Sequence, residues 1–231
     1  EIECCTIKRM LHPCSELPSM IGDLELVIDR ECLDIIQQLF DTSSTPFKGK
    51  GGHGTVFALY DKGERNVSSK AVKILPYQES DRILKGNIEL KMSCVMNQMS
   101  NYTSVFMRTY GWLICNDLPK GWVSAKIEDV DTYLLIFVDK YEYTLDAFEL
   151  QYEIDDRDML TFLFLLLHGL YEARDRHGFF HGDIKAQNIM LYRVKNPIAD
   201  TLPSQTITIG NTEYIIKPNS YIFHITGIIC K

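Results

Sequence analysis

The sequence predicts an α+β chain in two parts, a β-rich one followed by a helical one. Three observations carry that reading. Strand-like runs with a single helical segment among them occupy residues 47–141. A long apolar run of helical spacing follows at 158–177. Between that run and the next strand-like one lies HGDIKAQNIML, His181 to Leu191, several of whose residues disfavour regular structure.

Composition bounds the function. The 231 residues are 45% hydrophobic, enough for one large domain or two lobes. Net charge is −7, with Lys and Arg scattered, which argues against a nucleic-acid-binding face and a basic membrane patch. No apolar run nears the ~18 residues of a membrane span; FLFLLL, Phe162 to Leu167, reads as the middle of a buried helix. The chain opens on Glu1 without a secretory signal pattern, so a piece of a longer intracellular protein, of cytoplasm or nucleus, is expected. Seven irregularly spaced cysteines (Cys4, Cys5, Cys14, Cys32, Cys94, Cys115, Cys230) suit a reducing compartment. The group Cys4 to Cys14 with His12 lacks the paired spacing of a zinc site, so free thiols in an N-terminal extension are expected. The sequons at Asn66 and Asn101 carry no meaning inside a cell.

The elements follow in order. Residues 1–46 read as an extension with one helix over Asp29 to Asp41, apolar at Cys32, Leu33, Ile35, Ile36, Leu39 and Phe40 and capped by Asp29. TSSTP, Thr42 to Pro46, breaks it. From Phe47 a glycine-rich turn leads into a strand, TVFALYD, and Ser68 to Tyr77 reads as a second strand. Arg82 to Met99 has Ile88, Met92, Val95, Met96 and Met99 at helical spacing. RTYGWLIC and TYLLIFV are strands around a loop, with Trp112 and Trp122 as packing residues. A buried helix over Asp158 to His177 stops at Gly178. Thr206 to Ile225 reads as a hairpin turning at Gly210-Asn211.

The chemistry starts at GKGGHGTV, Gly49 to Val56, which fits G-x-G-x-x-G-x-V. Gly49, Gly51 and Gly54 would let backbone amides reach phosphate oxygens, and His53 would lie at the solvent-facing tip. A dinucleotide fingerprint needs a helix after the third Gly, and a strand follows instead. In AVK, Ala71 to Lys73, a Lys stands inside an apolar strand. Its ammonium would contact α- and β-phosphates and would need a carboxylate to hold it. Glu89, inside the predicted helix, is the natural candidate, and Glu79, in a loop-like stretch, the weaker one. His181, Asp183, Lys185 and Asn188 fit H-x-D-x-K-x-x-N. Asp183 would accept or orient the proton of an attacking hydroxyl, Lys185 would neutralise charge on the transferring phosphoryl group, and Asn188 would ligate Mg²⁺.

In this order the motifs resemble those of the eukaryotic-type protein kinases, over about Phe47 to Lys231. The resemblance implies a bilobal kinase fold: an extension at 1–46, a β-rich lobe with its hinge at 47–141, and a partial helical lobe with the catalytic loop and an inserted hairpin at 142–231. It implies ATP and Mg²⁺ in the cleft, and a protein substrate or partner. Gly49, Lys50, Gly51, Gly52, His53, Gly54, Val56, Ala71, Lys73 and Glu89 would then surround the nucleotide, with Val138 as gatekeeper and Asp139 to Tyr141 as the hinge. Lys185 is similar to the serine/threonine class, and the long insertion looks like those of haspin-like kinases and kinases of large DNA viruses.

The sequence departs from the family's pattern in two places. Gly182 replaces the Arg that pairs with a phosphorylated activation loop, so activity should not depend on that modification. Where D-F-G is expected, Ile225 and Thr226 precede Gly227, and a threonine hydroxyl is a poor substitute for a carboxylate on a hard cation. The readings left open are a protein serine/threonine kinase, a degenerate kinase acting as a nucleotide- or protein-binding module, and a small-molecule phosphotransferase of kinase-like fold.

Overall fold

The computed structural model describes residues 11–12, 14, 29, 31–42, 47–50, 54–60, 67–99, 102–103, 105–120, 122, 130–149, 156–193, 205–209, 212–216 and 221–225. By internal contact the chain forms two compact units, Glu1–Gln98 with Arg108–Lys140, and Met99–Met107 with Tyr141–Lys231. Among the described residues, no helix is long and apolar enough to cross a membrane.

The first unit is built on a five-stranded antiparallel sheet. Its strands are β1 (Phe47–Lys50), β2 (Thr55–Tyr60), β3 (Val67–Pro76), β4 (Thr109–Cys115) and β5 (Tyr133–Asp139), in the order β1-β2-β3-β5-β4. β5, YLLIFVD, is buried from Tyr133 to Val138 because both its faces are covered, and its unbroken apolar run follows from that. Helix α1 (Cys32–Leu39) lies on one face. There Ile36 and Phe40 join Phe57, Leu59, Val72, Ile74, Leu113, Leu135 and Phe137 in the core, and Phe40 stacks on Phe137 at 5.8 Å. An eight-residue helix is marginal alone. Burial of Ile36 and Phe40, each worth roughly 1.5–3 kcal/mol, holds this one in place. Helix α2 (Ser80–Gln98) packs through Gly86, where an added Cβ would lie 3.2 Å from both Leu134 and Tyr77. Leu134 alternates with the core-facing Leu135 along β5, so α2 takes the face opposite α1.

The extension is thus part of the first unit. His12 forms an antiparallel bridge with Trp112, and their rings stack at 4.5 Å. Asp29 does not cap α1, whose N-cap Glu31 makes no side-chain capping bond. Its carboxylate instead accepts from the Ile114 amide at 2.8 Å and pairs with His12 Nε2 at 2.6 Å. The expectation of a free thiol is corrected at Cys14, which is bonded to Cys94, while Cys4 and Cys5 lie outside the described residues; Cys32 is likewise bonded to Cys115, and the Cα separations of 5.1 and 5.6 Å are inside the disulfide range. Partners 80 and 83 positions apart leave no mark in local spacing.

The second unit holds β6 (Tyr143–Thr144), α3 (Leu145–Glu149), α4 (Asp156–His177), a 3-10 turn (Ala186–Asn188), β7 (Ile189–Arg193), β8 (Gln205–Ile209), β9 (Thr212–Ile216) and β10 (Tyr221–Ile225). Helix α4 is not buried on most sides. Phe162, Leu166, Gly169 and Ala173 form its packed row, while Leu160, Leu163, Phe164, Leu167 and Tyr171 are exposed. Apolar content marked the helix, but one face alone is packed. It ends at His177, where Gly178 takes φ +62° and donates to the Arg174 carbonyl at 2.8 Å.

The predicted single hairpin divides. β8 and β9 pair with each other, whereas β10 pairs with β7 in a second sheet of order β10-β7-β6. The turn at Gly210-Asn211 lies outside the described residues.

Candidate functional site

The candidate residues fall into two groups, one in each unit. In the first, β1 and β2, which flank residues 51–53, pair antiparallel with Gly49 opposite Val56 and Lys50 opposite Thr55. Gly51, Gly52 and His53 lie outside the described residues. Gly54 is buried, and a Cβ there would meet the Ile74 carbonyl oxygen at 2.6 Å and Leu75 Cδ2 at 2.7 Å. The third glycine therefore has a packing reason of its own: β2 enters the sheet too close to β3 for any side chain.

β3 carries Lys73 directly across from Val56, and Ala71 across from Ala58 on one side and Val138 on the other. Ala71 and Val138 are buried. The Lys73 ammonium pairs with the Glu89 carboxylate of α2, and both side chains are largely buried. Glu79 pairs instead with Arg82 at 3.4 Å on the surface.

Two contacts that local spacing does not announce seat α2 on either side of Glu89. Toward the N-terminus, the Tyr77 hydroxyl donates to buried Asn87 Oδ1 at 2.6 Å. Burial holds that phenol above its ordinary value, against a smaller opposing pull from Asn87. Toward the C-terminus, Asn97 accepts from the Thr109 amide at 2.8 Å and donates to the Thr109 carbonyl at 2.6 Å. A buried or half-buried Asn inside a helix was the available signal.

At the end of β5, Asp139 is committed to β4. Its carboxylate accepts from the Tyr110 hydroxyl at 2.6 Å and the Arg108 amide at 3.2 Å, while Lys70 and Arg108 lie over the Tyr110 ring at 5.5 and 5.0 Å. Tyr141, buried, begins the longer segment of the second unit.

In the second unit the stretch 181–188 folds into a compact loop. His181 is buried, its ring edge-on to Phe179 at 6.3 Å, and its Nδ1 accepts from the Asp183 amide at 3.3 Å. Gly182 has φ +74°, where an L side chain is strained, so the position favours Gly over the Arg that the resemblance would put there. Lys185 Nζ lies 2.8 Å from Asp183 Oδ2. Asn188 Nδ2 donates to the same oxygen and to the Asp183 carbonyl, each at 2.8 Å. The Lys185 ammonium, and after it the Asn188 amide, hold the Asp183 carboxyl below its ordinary range. Gln187 ties the turn to α3 by donating to Asp146 at 2.9 Å. The loop thus keeps an ionised carboxylate beside one ammonium, a pair suited to orienting a hydroxyl and offsetting phosphoryl charge.

The donor set among the described residues does not fit the Mg²⁺ that the resemblance implies. Asn188 offers one amide oxygen, and Asp183 is already shared by Lys185 and Asn188. β10 brings Ile225 opposite Ile189, the residue after Asn188, so a hydrocarbon stands in sequence where the resemblance puts the second carboxylate. Among the described residues, no group of three or more His, Cys, Asp or Glu is arranged to hold a metal ion. Thr226 and Gly227 lie outside the described residues. No protein-family model matches the chain, and no curated protein matches its sequence.

Proposed function

We propose that this chain is a nucleotide-binding protein of the serine/threonine-protein-kinase type, with a bilobal kinase fold and ATP as its nucleotide. The observation that carries the reading is the Lys73–Glu89 pair. A Lys in a central strand, held by a carboxylate from a long helix of its unit, is the arrangement that steadies an ammonium for α- and β-phosphates. The Asp183–Lys185–Asn188 loop supports it from the second unit. Asp183 orients the hydroxyl of a protein substrate and takes up its proton; Lys185 offsets charge on the phosphoryl group as it moves.

A second reading, a kinase-like binding module, is favoured by Ile225. Loss of one acidic metal ligand costs several kcal/mol of transition-state stabilisation, roughly 10²-fold or more in rate, and affects nucleotide binding less.

The test has two arms. Millimolar ATP with magnesium should raise the melting temperature, and Lys73→Met should abolish the rise. Transfer of labelled γ-phosphate to a basic protein should vanish in Asp183→Asn. A rise without transfer leaves the binding-module reading; transfer to a sugar, choline or lipid hydroxyl instead of a protein replaces the substrate class. No rise at all overturns nucleotide binding.

A further inference from the structure

We infer that the Cys14–Cys94 disulfide is a redox latch on helix α2, setting how firmly Glu89 is presented to Lys73; this rests on the nucleotide-site reading above. Cys94 lies on α2 five positions after Glu89 and is buried. Its partner Cys14 belongs to the extension, just after His12, which is bridged to Trp112 of β4, stacked on its ring and paired with Asp29. A path of backbone hydrogen bonds, ring stacking and one S–S bond thus runs from the edge of the sheet through the extension into the helix. Asn97 stands beside it, its amide nitrogen 3.4 Å from Cys14 Sγ while its side chain also grips the Thr109 backbone.

Besides the Tyr77–Asn87 and Asn97–Thr109 contacts, the helix has few fully buried apolar anchors among the described residues. Of its five buried residues one is Gly and one is Asn, leaving Leu90, Met96 and Cys94 as buried apolar side chains. A nineteen-residue helix so lightly held by apolar burial depends on its cross-links for position. Cys32–Cys115 gives an internal control, because it joins α1 to the end of β4 and bonds no residue of α2.

The chemistry is thiol–disulfide exchange with a dithiol reductant. A reductant thiolate attacks one sulfur and the Cys14–Cys94 S–S bond breaks. Two protein thiols form, and the reductant closes into its own disulfide, two electrons and two protons having passed to the protein. Freed from its tether, α2 samples positions in which Glu89 no longer holds Lys73. If the seated fraction falls to about a tenth, ATP affinity falls about tenfold.

The experiment compares ATP affinity by calorimetry for oxidised and dithiothreitol-treated full chain, for Cys14→Ser and for Cys32→Ser. Mass spectrometry reports which disulfides are open, and amide hydrogen exchange is followed across residues 80–98. The latch predicts about tenfold weaker ATP binding on reduction. Cys14→Ser should match the reduced protein and ignore dithiothreitol, while Cys32→Ser should keep the response. Equal affinities with the Cys14–Cys94 bond demonstrably open overturn the latch. If neither redox state binds ATP, the nucleotide reading falls and exchange decides: faster exchange across α2 on reduction retains the latch, and unchanged exchange removes it.

Discussion

Lys73 of β3 and Glu89 of α2, 16 positions apart in sequence, form an ion pair whose side chains are both largely buried. Removing one partner leaves the other charge poorly solvated and free to wander. Glu89→Gln should therefore weaken ATP binding by ten- to a hundredfold, in line with the roughly 1.5–3 kcal/mol of a hydrogen bond to a charged group. Glu79→Gln, on the surface, should leave it unchanged. Titration calorimetry on the two variants checks both.

The position of Gly182 calls for its own substitution. At φ +74° a side chain costs roughly 1–2 kcal/mol. Gly182→Arg should lower the melting temperature by a few degrees, about 2–4 °C per kcal/mol for a chain of this size, without creating dependence on phosphorylation. Differential scanning calorimetry gives the first number.

Tyr77 sets an alkaline limit. Its folded value lies above its unfolded one, so its contribution to stability is complete below about pH 10 and is lost as pH rises through the raised value. Tyr77→Phe strands Asn87 Oδ1 in a buried site and should cost about 1–3 kcal/mol at neutral pH. The same variant should lose less stability than the parent above pH 10. Urea titrations at pH 7 and above pH 10 distinguish the two effects.

A Cβ at Gly111 would lie 2.7 Å from Leu11 Cβ and 2.8 Å from the His12 carbonyl oxygen. Gly111→Ala should push the segment around residue 12 off β4 and cost roughly 1–3 kcal/mol. Faster hydrogen exchange at the Trp112 amide, which donates to the His12 carbonyl at 3.1 Å, reports the displacement.

Ile225→Asp with Thr226→Phe rebuilds D-F-G before Gly227. If a missing acidic ligand is what limits phosphoryl transfer, the double variant should transfer phosphate on the order of 10² times faster. Chelation of divalent cations should return it to the parent rate. A single-turnover assay with and without chelator reads both.

Much of the first unit was legible because its elements are periodic and long. The strand around Lys73, the helix around Glu89 and the apolar run of β5 each declare themselves within about twenty residues. Lys73 and Glu89 could be matched because a buried ammonium demands a carboxylate. The His181–Asn188 loop was legible from residue types that no strand or helix would select. What stayed hidden was long-range. Asp29 looked like a helix cap, yet it serves an amide and an imidazole of distant segments. Cys14 looked like a spare thiol and Cys32 like an apolar helix position because pairing across eighty positions has no local period. Strand partners were equally hidden: β10 is strand-like by composition, and nothing in its residues says that β7 is its neighbour.

β4 is the outermost strand of the five, and residues far earlier in the chain shield its rim: His12 pairs with Trp112, and Asp29 exchanges two hydrogen bonds with Ile114. A fragment cut at Phe47, where the resemblance begins, would leave that rim bare. Unsatisfied main-chain groups on an exposed strand recruit other strands, so such a truncation should self-associate and precipitate during expression, whereas one that retains residues 11–42 should stay dispersed.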